Sequence, residues 1–245
     1  MALDIIFYIG LILLMSSTIK GITGFGTALF AMPLLTAFFL TPEEARPLIV
    51  TINLMLNVFI LLKERKLTLT HMLPLKALII SGFLAALLGG FLLPTMNMHT
   101  FNIILGLLLI FTAVNKLFNF NLIITNPKRF FIPMGIMGGL LNTLIGAGGI
   151  PVLIFLSNTA IKKDDFRLSI LLFFFMLNVG SILSFVMNQA YPVSTLYSVF
   201  IYIPVVIVGG LVGMRFQHHI NERIFQKFVS ILLLFMGINT VFNLF

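Results

Sequence analysis

Ten apolar runs follow one another along this 245-residue chain, at about 4–19, 27–40, 45–62, 71–93, 100–118, 130–145, 149–160, 167–187, 195–214 and 224–244. A helix needs ~20 mostly apolar residues to cross ~30 Å of hydrocarbon. The chain therefore has length for about eight to ten crossings and almost none left for a soluble domain. The runs must be helical, because every backbone polar group in lipid needs a partner within its own segment, and nothing alternates as barrel strands do. Composition agrees: 60% of residues are hydrophobic and 9% charged, with a mean hydropathy of +1.15, against about 45–50% and 25% in soluble domains. The reading is an all-α integral membrane protein with the bilayer as its solvent. The runs at 27–40 and 149–160 are short for crossing, so each is a thin span or half of a re-entrant hairpin.

The net charge is +8, from 15 Lys and Arg against 7 Asp and Glu. In a soluble chain that balance would suggest nucleic acid, but here the basic residues sit in connections between apolar runs, which excludes that partner. Lys63, Arg65 and Lys66 form one basic loop. Lys116, Lys128 and Arg129 flank a second, Lys162, Lys163 and Arg167 a third, and Arg215, Arg223 and Lys227 a fourth. The loops at 94–99 and 188–194 carry no Lys or Arg. The positive-inside rule places the four basic loops in the cytoplasm and the other two outside, with both termini outside provided each Gly-centred hairpin crosses an even number of times. With no Cys, disulfides, thiol catalysis and Cys-ligated metals are excluded. The start, MALDIIFYIG, lacks a basic n-region and a small-residue cleavage site and reads as a retained first span.

The chain also repeats itself. Met55-Leu56-Asn57-Val58 recurs as Met176-Leu177-Asn178-Val179, an offset of 121, and Glu43-Glu44-Ala45-Arg46 meets Asp164-Asp165-Phe166-Arg167 at that offset. Phe111 through Asn115 and Phe118-Asn119 return as Phe235 through Asn239 and Phe242-Asn243, at offset 124. Recurring Asn and paired acids before Arg, in one order, point to a duplication into repeats 1–122 and 123–245. Equivalent loops differ in charge: 63–66 is basic and its repeat 188–194 is not, while 94–99 is uncharged and its repeat 215–223 is basic. The repeats are therefore expected to be inverted in the membrane, a trait of secondary transporters that bind substrate near the midplane.

Each repeat opens with a span ending in a Gly cluster followed by Pro. The first reads Gly21-Ile22-Thr23-Gly24-Phe25-Gly26-Thr27, then Pro33-Leu34-Leu35. The second reads Gly146-Ala147-Gly148-Gly149-Ile150-Pro151-Val152-Leu153. Gly and Pro interrupt helices and leave backbone groups unpaired, tolerated at membrane depth only inside protein or beside a water-filled cavity. A half-helix starting there aims its N–H groups and positive dipole end at the cavity, which favours an anion. The competing reading is that the glycines only let helices pack closely. Two clusters at equivalent positions favour a site built from Gly24, Phe25, Gly26, Thr27 and Pro33 and from Gly146, Ala147, Gly148, Gly149 and Pro151. The mid-span amides Asn57 and Asn178 are candidates to line it or to glue helices together.

In these motifs the sequence resembles the TauE/SafE sulfite exporter family, also called the toluene-sulfonate uptake permease family, from Ser17 to Phe245. It looks closest to the branch with G-F-G-x-x in the first half and G-x-G-G-P-P in the second, and Lys163-Asp164-Asp165-Phe166-Arg167 resembles that branch's loop. Ile150 stands where the first Pro of the pair would be, and Thr27 and Ala28 where some relatives carry more glycine. The resemblance implies transport of a small anion, notably sulfite, thiosulfate or an organosulfonate, across a prokaryotic cell membrane.

Among the other polar residues, Thr41-Pro42-Glu43-Glu44 reads as a capped helix start. Arg46 and Arg167 are expected one at each mouth, drawing anions into the vestibules. Lys20 reads as the mark of a cytoplasmic turn, Asn115 and Asn239 as helix glue, and His218-His219 as a solvated face rather than a metal site. All seven acids lie at termini or loops, so no mid-span carboxylate offers a proton relay. No Walker motif is present, and no intramembrane acid cluster, His-acid set or Ser-Lys dyad suggests an enzyme. The sequence calls for no cofactor. Its partners are a small anionic substrate and the bilayer, with self-association left open. The readings to separate are a carrier and, as runner-up, an anion channel or an assembly subunit.

Overall fold

The computed structural model describes residues 3–23, 26–63, 75–118, 127–157, 163–216 and 222–242. These fold into α1 (Leu3–Thr23), α2 (Thr27–Phe38), α3 (Pro42–Lys63), α4 (Lys76–Gly89), α5 (Met98–Phe118), α6 (Phe131–Ile145), α7 (Gly149–Ser157), α8 (Lys163–Met187), α9 (Val193–Phe216) and α10 (Glu222–Phe242). A 3-10 turn over Gly90–Thr95 closes α4 where Pro94 removes a donor. Among the described residues there is no strand. The basic loop holding Arg65 and Lys66, His218-His219, and Gly24-Phe25 lie outside the described residues.

Among the described residues six helices are long and apolar enough to cross a membrane. Their outward faces carry large apolar side chains that water would not tolerate, such as Leu62 and Phe200 at 76% and 75% exposure. The chain is a multi-pass membrane protein. The two short runs are short helices: α2 has 12 residues and α7 has 9 described ones. At 1.5 Å per residue they reach about 18 and 14 Å, well under a bilayer's hydrocarbon.

The chain divides into two compact units, each drawing on both sequence halves. The first comprises Met1–Ile49, Met96–Phe120 and Val193–Phe245. In it α1 packs on α9 and on α2, and α5 on α10. The seams are made of small residues: a Cβ on Gly21 would strike the Gly210 carbonyl and Gly213, and one on Gly106 would strike Gly237. The second comprises Val50–Thr95 and Asn121–Pro192. In it α6 packs on α4 and on α7, and α8 on α4. Here Gly135 rides over the Leu78 carbonyl and Gly139 over that of Gly82. Lipid tails are as apolar as Leu, so close backbone approach through small residues is what drives such helices together.

Within the first unit the capping expectation holds. The Thr41 N–H donates to Glu44 Oε2 at 3.0 Å as α3 begins.

Candidate functional site

Both short helices start at a glycine break. In the first unit Gly26 adopts a left-handed backbone, φ 108° and ψ −7°, and α2 follows with no side-chain cap. Phe30 N–H donates to the Gly26 carbonyl at 3.3 Å. The N–H groups of Thr27, Ala28 and Leu29 have no acceptor within the helix, as in any first turn. Thr27 is 1% exposed, and its Oγ1 has no hydrogen-bond partner. A buried hydroxyl without a partner costs about 1–3 kcal/mol, which a ligand here would return. Pro33 is buried inside α2, where its missing N–H leaves the Leu29 carbonyl without its usual donor.

In the second unit Gly146 ends α6 with φ 70°, its N–H donating to the Asn142 carbonyl at 2.9 Å. Gly148 and Gly149 are bare for a different reason than Gly26. A Cβ on Gly148 would strike the Gly138 carbonyl and the Asn142 backbone, and one on Gly149 would enter the Phe174 ring. At Gly26 a Cβ would meet only ordinary contacts, with Ile19 Cγ2 at 3.6 Å. The close-packing reading thus applies to Gly148 and Gly149, and the conformational one to Gly26. Ala147 and Pro151 are buried in the same connection and first turn of α7.

The mid-span amides separate as well. Asn142 Nδ2 donates to Asn178 Oδ1 at 3.2 Å and to Ser181 Oγ at 2.9 Å. Thr143 Oγ1 donates to the Ala86 carbonyl at 2.7 Å and shares a 2.8 Å bond with Ser181 Oγ. With the Thr143 proton so committed, Ser181 donates in that bond. Ser184 continues the ladder, donating to the Leu87 carbonyl at 2.6 Å and accepting from Gly90 N–H at 2.8 Å. This network ties α6 and α8 to α4, with Asn178 held by glue. Asn57 is different. It is completely buried, and neither its Nδ2 nor its Oδ1 has a partner.

Arg46 is not an exposed mouth charge. Only 4% exposed, it has Nη2 3.4 Å from Glu43 Oε1 and Cζ 5.3 Å from the Phe101 ring centroid, while Nε lacks a partner. Arg167 lies on α8, and its side chain is outside the described ones. Asn239 lines a cleft of about 170 Å³ in the first unit together with Thr36, Asn102 and Thr240. Lys20, read as the mark of a cytoplasmic turn, is 3% exposed in the last turn of α1. Neighbouring residue types gave little warning of this, because Lys at the end of an apolar run is most often a boundary mark. Asn142, Thr143 and Ser181 were likewise missed, since single polar residues in a greasy run carry no period.

Long apolar spans flanked by short helices that start at glycine breaks define a multi-pass membrane protein with interrupted helices. The chain belongs to the Sulfite exporter TauE/SafE family, whose match covers residues 8–240. That is a family of transporters rather than enzymes. Comparison with curated proteins and with solved structures gives no match.

Proposed function

We propose that this protein is a secondary carrier that moves a small sulfur oxyanion, such as sulfite, thiosulfate or a sulfonate, across a prokaryotic cell membrane by alternating access. The observation that carries the reading is the start of α2. There a left-handed Gly26 precedes an uncapped helix, and the Thr27 hydroxyl is buried without a partner. Helix N–H groups, a dipole end and a spare hydroxyl are suited to an anion. Charge-assisted bonds of this kind contribute about 1.5–3 kcal/mol each, offsetting part of the cost of dehydrating the ion.

The inverted duplication is part of the proposal. Counted along each repeat, α1 to α5 correspond to α6 to α10. Exchanging the repeats turns the packing of α1 on α9 and α2 into that of α6 on α4 and α7, and both sets occur. The Gly-seamed α5–α10 pair maps onto itself. Such correspondence supports a common ancestor for the halves.

Counterflow in proteoliposomes tests the carrier. Vesicles preloaded with sulfite should accumulate external labelled sulfite faster than empty ones, with saturation. A flux that rises linearly and ignores the internal anion would make the protein a channel.

A further inference from the structure

The proposed site as described has no formal positive charge, and the described residues contain one that it does not use. Lys20 stands on a buried stripe of α1 formed by Ile9, Leu13, Ser16 and Lys20, exposed by 0, 0, 1 and 3%. These positions follow one another at helical spacing, so the stripe is a single interior face that becomes polar towards the glycine break. Lys20 lies in the last turn of α1, six residues before Gly26 in the chain. Its neighbour Ile19 reaches within 3.6 Å of the place a Cβ on Gly26 would occupy, and the Thr23 hydroxyl donates back to the Ile19 carbonyl at 2.9 Å. The last turn of α1 and the first residue of α2 are therefore parts of one small structure.

The second repeat shows what this position does when uncharged. Shifted by 122, which also superposes Gly24 on Gly146 and Gly26 on Gly148, the α1 stripe becomes Phe131, Gly135, Gly138 and Asn142. All four are buried. Asn142, at the place of Lys20, spends its amide on Asn178 and Ser181 inside the protein. The first repeat has an ammonium at that place, on a long stem that could otherwise reach an interface. Lys20 already interacts within the protein. An ionisable side chain kept inside a span is expensive and is retained for a function.

We infer that Lys20 is the fixed counter-charge of the anion site at the start of α2, joining the Thr27 hydroxyl and the first-turn N–H groups in binding the substrate. This deepens the carrier reading and rests on it. It also names the chemistry selected: an oxyanion whose affinity rises with its charge, because the attraction to one ammonium scales with the ligand's valence.

Calorimetric titration of the purified full-length protein in lipid nanodiscs with sodium sulfite, thiosulfate and methanesulfonate tests it. Lys20→Met should weaken every anion that the wild type binds by about tenfold or more. Where both bind, the thiosulfate dianion should lose more than the methanesulfonate monoanion. Lys20→Arg, which keeps the charge, should stay within about threefold of wild type, and Lys20→Gln replaces the Met variant if that fails to reach the membrane. Unchanged affinity in the neutral variant overturns the inference. So does an equal loss in the Arg and neutral variants, which would make Lys20 structural. If the wild type binds none of the three anions, the carrier reading itself fails, and this inference with it.

Discussion

The two glycine-broken hairpins share a plan and differ in how their polar groups are used. Around α6 and α7 every polar side chain of the Asn142, Thr143, Ser181 and Ser184 network has a partner, and Gly148 and Gly149 exist to let backbone and ring pack closely. Around α1 and α2 the same places hold Lys20, an unpartnered Thr27 and a glycine that answers to φ rather than to crowding. A buried hydroxyl without a partner, as at Thr27, is costly, and a ligand at that place would supply one. On the proposed function, the second hairpin is locked by its own bonds and the first is left receptive.

The largest effect that would sharpen this contrast is at Gly148. Gly148→Ala places a methyl against the Gly138 carbonyl and the Asn142 backbone, which cannot move without unseating α6. Folded protein recovered in detergent should fall to near zero. Gly26→Ala meets only the left-handed backbone, costing about 1–2 kcal/mol, and the protein should still be recovered folded. Equal recovery of the two variants would dissolve the distinction between the hairpins.

Next in size is Asn142→Leu, which leaves Asn178 and Ser181 without their donor. With a buried network broken, thermal unfolding should show a loss of about 2–4 kcal/mol. Asn57→Leu should do the opposite. It removes an amide that has no partner, so stability should hold or rise slightly. A Tm for Asn57→Leu as low as that of Asn142→Leu would show Asn57 to be glue like its repeat mate.

The smallest effect is expected at Arg46. Its guanidinium is buried against Phe101 rather than set in an open vestibule, so an Arg46→Gln transport defect should change little with ionic strength. A defect concentrated at low salt would restore long-range steering, since screening removes attractions beyond about 10 Å at 0.1 M.

Much of this was legible in the sequence. The ten apolar runs match the ten α-helices of the described residues to within a few residues at most ends, because crossing length and backbone satisfaction leave the chain few choices. The glycine breaks and the capping box at Thr41 were readable too, since each rests on local backbone chemistry. The partners of polar side chains were not. Asn57 and Asn178 occupy matching words in the text, yet Asn178 accepts from Asn142 and Asn57 has no partner, a difference decided by tertiary packing. Lys20 and Arg46 looked like boundary charges for the same reason: burial of a single long side chain is decided by tertiary packing, and no period in the sequence announces it.

The division of labour between the hairpins can be measured in one experiment, the thermal unfolding of the full-length protein in detergent with and without sulfite. A ligand that binds only the folded state stabilises it by about 2.7 kcal/mol at a hundred times its Kd, several degrees for a chain of this size. The account predicts that Thr27→Val unfolds at the wild-type temperature without sulfite but loses most of the sulfite-induced rise. Asn142→Leu should unfold several degrees lower yet keep the full rise. If instead Thr27→Val keeps the rise and Asn142→Leu loses it, the anion is held by the second hairpin and the account is wrong.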